Sequence, residues 1–383
     1  MKAETSYLSR SYDPYDPWMG PRGVQIRRGF YEGRVIGKLA AIAVGLSDWF
    51  FPHLFRKLLG VSPRAYPITV AQRILMDDKI CEPGRALEAL ISTAVLNAKD
   101  NSQAWGLGFP WMSKNGLYSD TVPFITHTPY AMEALLELSK YREVEALATT
   151  SFNSTWDFLE SLLILADDKE ELALSYAPVP EPRIVVNANS YACLAYCLHA
   201  MHNSGHAPEA RSKARRLARW VVNQQNDDGS WHYYADSESG NFIDCFHSCF
   251  ILKNLLKASK TDDEIRLTCL SSIDKGKRYI DSSFYDKEKK MVRRFTERDI
   301  KDPFVWDLYD QAEYLGLLVE SGDIAAAQTL AASSRRHFLK GATWYCKLDF
   351  LGRKWGPGFD RWGIVPFLYS ESRLKKIVED SEG

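Results

Sequence analysis

Residues suited to acid–base chemistry stand at regularly spaced points of this 383-residue chain. His127 and His247 each lie in a cluster of polar and aromatic residues, and Asp244 precedes His247 by three positions. Histidine titrates near neutral pH and a neighbouring carboxylate can orient its ring, so the pair suits a general base. We therefore expect His247 to be a base held by Asp244, with Tyr309 or His127 as the opposing acid.

Carboxylates form a second group of candidates. Asp307 and Asp310 lie three residues apart on one helical face, as a catalytic pair or as a helix cap and its neighbour. Glycoside hydrolysis needs two carboxylates that flank the scissile bond, and the candidate pairs are Asp244 with Asp310 and Asp307 with Asp360. We expect no metal and no cofactor; if a metal were bound, Asp244, His247 and Asp310 would be its plausible ligands.

Aromatic and polar residues near these points are suited to holding a sugar. Tryptophan rings can stack on a flat sugar face, whereas Arg361 and Asn187 could neutralise a carboxylate. The candidates for substrate binding are Trp105, Trp111, Asn187, Asn189, Trp231, Trp306, Asp307, Asp360, Arg361 and Trp362. Two structural alternatives compete: Asn189 is a favoured type of helix cap, and Gln225 and Trp231 of the QNDDGSW segment can tie neighbouring hairpins together.

The spacing of these residues indicates which elements carry them. Ile68, Thr128, Asn189, His247, Asp310 and Arg361 mark the starts of six helix-like runs. The intervals between them are 60, 61, 58, 63 and 51 residues, each about the length of two helices with their loops. Six helical hairpins of this size predict an all-α fold that closes as an (α/α)6 toroid.

The helices alternate in character along the chain. Runs that follow the markers, such as 129–138 and 191–198, are apolar nearly all round and are typical of buried helices. Runs between them, such as 208–222, are amphipathic with a charged face, as expected for an outer ring. Since all inner helices of such a toroid point the same way, their N-terminal ends meet at one mouth, where an anionic ligand is favoured.

Composition excludes several classes of protein. A formal net charge of −1 gives no basic face for nucleic acid, and 45% apolar with 25% charged residues is the usual mix of a packed core. The seven cysteines include no CxxC pair, and the N-terminus lacks the pattern of a secretory signal. We expect a cytoplasmic protein.

The first 65 residues are predicted to be an extension that packs on the toroid or on a membrane surface, and 66–383 to be the toroid and catalytic domain. Residues 37–60 are the most apolar stretch, but Asp48, Pro52 and Arg56 interrupt them too often for a membrane span. They could instead make a peripheral contact with the inner membrane.

Five motifs occur along the chain in an order that resembles one protein family. They are YDPYD (12–16), WGLGFPW (105–111) followed by PFITHT (123–128), VNAN (186–189), QNDDGSWHYY (225–234) and IDCFHSCFIL (243–252). The chain is similar in these motifs to VpsJ-type bacterial proteins of capsule, exopolysaccharide and O-antigen biosynthesis. The resemblance implies an (α/α)6 toroid that takes part in making a surface polysaccharide, and it leaves the reaction open.

The residues then favour one reaction among three hypotheses. The first is proton abstraction at C5 of a uronic acid residue in a glycan or lipid-linked oligosaccharide, which gives epimerisation or elimination. It needs a neutralised carboxylate, a base and an opposing acid, and each role has a candidate. The alternatives are a glycoside hydrolase that uses a carboxylate pair and a non-catalytic glycan-binding or scaffold protein.

Overall fold

The computed structural model describes residues 7–96, 102–296 and 304–382. Six helices begin near the six marker residues and form an inner ring: α5 (Pro67–Met76), α7 (Thr128–Leu138), α9 (Val186–His202), α11 (Cys245–Ser259), α13 (Leu308–Glu320) and α15 (Val365–Glu382). Neighbouring inner helices pack side by side, and α15 returns to pack on α5. The predicted (α/α)6 toroid is therefore confirmed.

The outer ring differs from the prediction at one place. It contains α6 (Pro83–Ser92), α8 (Glu145–Ser161), α10 (Ala207–Asn223), α12 (Asp263–Ser283) and α14 (Ile324–Phe338). Within the described residues no outer helix follows α15. Residues 7–13 lie at the α5 and α15 side instead, where Tyr7 donates a hydrogen bond to Asp77 at 2.8 Å and Ser11 pairs with Arg64.

Inner and outer helices are distinguished by burial, as the sequence pattern predicts. Every residue of α13 is buried, and 14 of the 17 residues of α9 are. In α10 the buried residues are one apolar stripe, while Arg215 on the other side forms an ion pair with Asp262, the N-cap of α12. Hydrophobic burial of the inner ring is thus the main force that holds the toroid together.

Short strands connect the helices at the mouth side. They are β1 (Val95–Leu96), β2 (Gln103–Ala104), β3 (Trp111–Ser113), β4 (Gly116–Tyr118), β5 (Ile164–Asp167), β6 (Leu172–Leu174), β7 (Tyr285–Asp286), β8 (Met291–Val292), β9 (Phe304–Asp307), β10 (Leu339–Lys340), β11 (Thr343–Asp349) and β12 (Lys354–Pro357). All pairings are antiparallel, and the largest sheet joins β9, β10 and β12 to β11.

The N-terminal part forms four helices: α1 (Asp16–Met19), α2 (Pro21–Tyr31), α3 (Val35–Phe50) and α4 (Pro52–Leu58). A buried cluster fixes them to each other, because the Arg56 guanidinium pairs with Asp16 at 2.9 Å and with Asp48. They contact the toroid through the large sheet, where Trp355 donates a hydrogen bond to the Asp48 carbonyl at 3.0 Å. No helix of the described residues is both long enough and apolar enough to cross a membrane.

An irregular turn, Asp360–Ile364, precedes α15 and sets its first residues against α13. Gly363 has a φ of 101°, and a Cβ there would lie 2.7 Å from the backbone nitrogen of Tyr309. Only glycine satisfies both conditions without strain. The turn therefore brings Arg361 and Trp362 to the mouth beside the start of α13.

Candidate active site

A cavity of about 460 Å³ opens where the inner helices begin. Each of the six inner helices, or the turn just before it, contributes to the wall, through Ile68, His127, Asn187, His247, Tyr309 and Arg361 respectively. The wall is rich in aromatic rings. Trp111 of β3 and Tyr233 of the loop between α10 and α11 complete it. The predicted convergence of inner-helix N-termini on one mouth is thus observed.

His247 and Asp244 form a pair at the start of α11. The Nδ1 atom of His247 lies 2.8 Å from both carboxylate oxygens of Asp244, and the carboxylate also accepts from the backbone nitrogen of His247 at 3.0 Å. Asp244 is thus helix cap and histidine partner at once. When Nδ1 carries the proton that Asp244 accepts, Nε2 carries the lone pair, and no described residue forms a hydrogen bond with that atom.

His127 lies in a different environment on another part of the wall. Its Nδ1 lies 3.1 Å from the Thr126 hydroxyl, which donates to the Tyr176 hydroxyl at 2.9 Å. Burial, followed by the positive charge of Arg361, lowers the pKa of His127 to about 3. The imidazole is therefore neutral near pH 7, which makes it a hydrogen-bond donor or acceptor and not a cationic acid.

Arg361 lines the cavity and is held by the N-terminal part of the chain. Its Nε and Nη2 atoms lie 2.6 and 2.7 Å from the two carboxylate oxygens of Asp13, and both side chains are buried. Tyr15 packs against the guanidinium, with 5.3 Å to the ring centre. The Nη1 atom has no hydrogen-bond partner among the described residues, so it is the nitrogen that remains for a ligand.

Aromatic surfaces cover the wall between these polar groups. Tyr309 and Trp362 stack with their ring centres 4.7 Å apart and their planes 12° apart. Trp111 lies under the Arg27 guanidinium at 3.8 Å, and Tyr15 meets its edge at 4.5 Å. Rings fixed by such contacts offer flat apolar faces on which a sugar ring can stack.

Asn187 is a buried polar residue of the wall whose hydrogen bonding is incomplete. Its Oδ1 atom is inaccessible to solvent and has no partner among the described residues. A buried acceptor without a partner costs free energy. A ligand hydroxyl in the cavity could supply the missing hydrogen bond.

Arg294 is a charged residue of the cavity wall that the sequence analysis missed. It lines the cavity, and its Nη2 lies 2.9 Å from Asp307 and 3.1 Å from Asp310. Burial of Asp310 raises the pKa of its carboxyl, whereas the Arg294 charge opposes this rise. Arg294 follows β8 in an ordinary MVRRF segment, so the sequence carries no signal that would have singled it out.

Seven candidates are not on the cavity wall, which corrects the prediction that they contact a ligand there: Trp105, Asn189, Trp231, Trp306, Asp307, Asp310 and Asp360.

The three tryptophans and Asn189 that lie outside the wall stabilise the fold instead. The indole nitrogens of Trp105 and Trp231 donate to the carbonyls of Leu90 and Val221 at 3.0 and 2.9 Å. Asn189 holds β6 through hydrogen bonds with both backbone groups of Leu174. Trp306 is buried below the Arg293 guanidinium.

The QNDDGSW segment ties hairpins together, as its structural alternative predicts. Gln225 donates to the Ser272 carbonyl of α12 at 2.9 Å and accepts from the Ser272 hydroxyl at 2.7 Å.

In neither of the carboxylate pairs expected for hydrolysis do both carboxylates line the cavity. Asp307 accepts from the backbone of Tyr309 and from the Trp362 indole at 2.9 and 2.8 Å, and Asp360 pairs with Arg73 at 2.7 Å. Of the four aspartates proposed for these pairs, only Asp244 lines the cavity. The described residues contain no cluster of three metal-binding side chains, and Arg294 is the cation beside Asp310.

No family model and no curated protein matches the chain. Solved structures do match it. Cellobiose 2-epimerase from Bacillus thermoamylovorans superposes with a TM-score of 0.59 at 9% identity over 82% of this chain and 88% of that one. The cellobiose 2-epimerase of Spirochaeta thermophila gives 0.56 at 15% over 89% and 98%, and a D-mannose isomerase gives 0.57 at 14% over 81% and 85%. At these identities the similarity establishes the toroid fold.

Proposed function

We propose that the protein is a carbohydrate-active enzyme that removes a proton from a sugar carbon next to a carboxylate, namely C5 of a uronic acid residue. The observation that carries the proposal is the His247–Asp244 pair, whose histidine faces a cavity that a buried arginine also lines. A carbon acid of this kind requires a base near neutrality and positive charge to stabilise the electron pair that the proton leaves behind.

The reaction assigns one role to each side of the cavity. Nε2 of His247 takes the C5 proton, and the electron pair moves into the carboxylate, which becomes an enediolate. Arg361 Nη1 and Arg294 stabilise that charge, and Asn187, which also lines the cavity, forms a hydrogen bond with a sugar hydroxyl. Return of a proton to the opposite face gives the epimer, whereas loss of the C4 substituent gives the unsaturated product.

The buried, neutral state of His127 favours Tyr309 as the opposing acid. Because His127 is neutral near pH 7, it suits hydrogen bonding to the developing charge better than proton donation. Tyr309, which is stacked on Trp362, is then the candidate acid.

The proteins of similar fold supply an alternative carbon atom for the proposed proton abstraction. Cellobiose 2-epimerases and a D-mannose isomerase share the toroid, so a carbon next to the carbonyl of a reducing-end sugar is the alternative position. Hydrolysis is less well supported, because Asp244 alone among the proposed aspartates lines the cavity and it is engaged by His247. The resemblance to surface polysaccharide biosynthesis proteins supports a glycan as substrate and leaves its sugar open.

The test is incubation with uronate oligosaccharides, and separately with cellobiose and mannose, in deuterated water. NMR then locates any deuterium at C5 or C2, and ultraviolet absorbance detects an unsaturated product. We expect deuterium at C5, and His247→Gln should lower its incorporation about 1000-fold. His232→Gln is the matched control, because His232 is exposed and does not line the cavity.

Each contrary result points elsewhere. Deuterium at C2 alone would move the chemistry to the reducing-end sugar. New reducing ends without deuterium would establish hydrolysis. Absence of any change, with glycan still bound, would leave a binding protein.

A further inference from the structure

An exposed apolar surface covers one side of the N-terminal part. Of the 24 large apolar side chains that are exposed among the described residues, 12 fall between residues 30 and 59. Ile36 is 82% exposed and Leu58 is 77% exposed. Soluble proteins rarely leave so many apolar groups together in water, so this surface requires an explanation.

The geometry of α3 explains why one face is free. Gly29 of α2 and Gly37 of α3 allow the two helices to touch, since a Cβ on Gly37 would lie 2.5 Å from the Gly29 backbone. Asp48 at the far end of α3 faces inward to Arg56. The glycine side of α3 is therefore used for packing, and the opposite side, with Leu39 and Ile42, faces solvent.

A second element extends the surface. The turn between β11 and β12 carries Phe350 and Leu351, which are 61% and 76% exposed. The Trp49 ring lies 5.9 Å from the Phe350 ring and 5.0 Å from the Phe50 ring. Two segments 300 residues apart in sequence thus meet at these rings. The exposed apolar side chains of α3, α4 and residues 350–351 are together called the apolar patch.

Cations outnumber acidic residues in the segment that carries most of the apolar patch, although Arg34 pairs with the exposed Glu32 at 2.7 Å. The exposed or half-exposed cations of residues 21–64 are Arg22, Arg27, Arg28, Arg34, Lys38, Lys57 and Arg64, and Arg353 lies over the Trp49 and Phe50 rings. Between residues 21 and 64 the acidic residues are Glu32 and Asp48, and Asp48 is buried against Arg56. An apolar face that carries aromatic rings and is bordered by Lys and Arg is the pattern of a segment that lies in a membrane interface.

The apolar patch begins beside the cavity. Tyr31, the last residue of α2, lines the cavity, and α3 begins four residues later at Val35. Arg27 of the same α2 lies over Trp111 in the cavity wall. A surface that covers the patch would therefore lie next to the cavity opening.

We infer that this apolar patch rests on an anionic membrane surface and holds the cavity opening beside the lipid headgroups. The exposed side chains of α3, α4 and residues 350–351 enter the headgroup boundary, and the flanking cations pair with lipid phosphates. If the proposed function holds, the substrate class becomes a glycan attached to a lipid, whose sugars reach the cavity from the membrane plane.

A second copy of the chain fits the patch less well. Self-association through this face would bring two sets of the same cations together, with Glu32 as the exposed acid of residues 21–64 to balance them. Like charges in close contact oppose association, whereas an anionic lipid surface complements them.

The experiment is flotation of the full chain with vesicles of phosphatidylcholine alone or mixed with phosphatidylglycerol. We expect stronger binding to the anionic vesicles and a decrease with added salt. The combined variant Ile36→Gln, Leu39→Gln, Leu58→Gln should lower vesicle binding at least tenfold, because three apolar side chains no longer enter the boundary. Lys38→Glu with Lys57→Glu should weaken binding to the anionic vesicles selectively.

The matched control is Leu267→Gln with Leu270→Gln on α12, where both leucines are exposed on the outer ring. This variant should float as the unmodified chain does. Equal flotation of the patch variant and the control, or no flotation of the unmodified chain, would overturn the inference. A dimer that the patch variant dissociates, without vesicle binding, would also overturn it in favour of self-association.

Activity distinguishes this inference from the proposed function. The patch variant should retain deuterium exchange on soluble oligosaccharide and lose most of its preference for lipid-attached glycan. Vesicle binding without any exchange would leave the membrane contact intact and reject the proposed reaction.

Discussion

The two histidines of the cavity have different hydrogen-bond partners, although each lies at the start of an inner helix. His247 is held by a carboxylate, Asp244, that also caps the helix. His127 has only hydroxyl groups at its Nδ1 side, and Arg361 adds a repelling charge. The contrast shows that the same residue at equivalent points of a repeat can be paired with a carboxylate in one place and be a neutral group among hydroxyls in another.

The strongest test of this contrast is Asp244→Asn. Asparagine caps a helix about as well as aspartate, so the fold should be retained. The amide cannot stabilise a protonated His247, and we expect deuterium exchange to fall about 1000-fold. His127→Gln should lower exchange by only about tenfold. Equal losses in the two variants would remove the distinction between the histidines.

The ion pair between Asp13 and Arg361, the cation near His127, can be tested by changing Asp13. Asp13→Asn removes the charge that pairs with buried Arg361, and we expect the free energy of unfolding to fall by about 3 kcal/mol. Urea unfolding followed by circular dichroism measures this loss. The control is Asp263→Asn, since the Asp263 side chain is 89% exposed and its pair with Arg266 is worth about 0.5 kcal/mol or less. Equal losses would show that Arg361 does not depend on Asp13.

The pH dependence of stability sharpens the difference further. The pKa of His127 is about 3 in the folded chain and about 6.5 when unfolded, so the unfolded state binds more protons between these values. The stability contribution is complete above pH 6.5 and is lost as the pH falls towards 3. Between pH 7 and pH 5 this group alone should cost about 2 kcal/mol. His127→Gln should remove that part of the loss; an unchanged pH profile would contradict a neutral, buried His127.

The smallest expected effect concerns the aromatic wall that both histidines share. Trp111→Ala removes a ring fixed between Arg27 and Tyr15, and KM should rise five- to tenfold, about 1 kcal/mol, with kcat little changed. Leu117→Ala on the adjacent strand β4 should leave KM as it is, because Leu117 is exposed and lies outside the wall. A fall in kcat without a change in KM would place Trp111 in the chemical step.

The fold was largely predictable because its signal repeats. Six markers about 60 residues apart lie at or close to the six inner-helix starts, and burial follows the apolar pattern of the helices. The intervals count only the starts of the runs, so they do not predict the outer helices one by one. The site was predicted in part: His127, Asn187, His247, Tyr309, Arg361 and Trp362 meet at the cavity, together with Asp244 and Trp111.

The failures have a common physical cause. A tryptophan in a glycine-rich loop can face a ligand or donate its indole N–H to a carbonyl, and Trp105 and Trp231 do the latter. Arg294 went unnoticed because its partners, Asp307 and Asp310, are fixed only by tertiary packing. Local sequence states which groups are present, whereas the partner of each group depends on distant segments.

The contact between Asp13 and Arg361 joins residues 348 positions apart. During synthesis, Asp13 leaves the ribosome long before Arg361 is made. The pair of His247 and Asp244, by contrast, forms within one helical turn. The His247–Asp244 pair can therefore form while the chain is still growing, whereas the Asp13–Arg361 pair forms only when the ring closes, so a chain stopped before Arg361 would carry the proposed base without the proposed carboxylate-binding group.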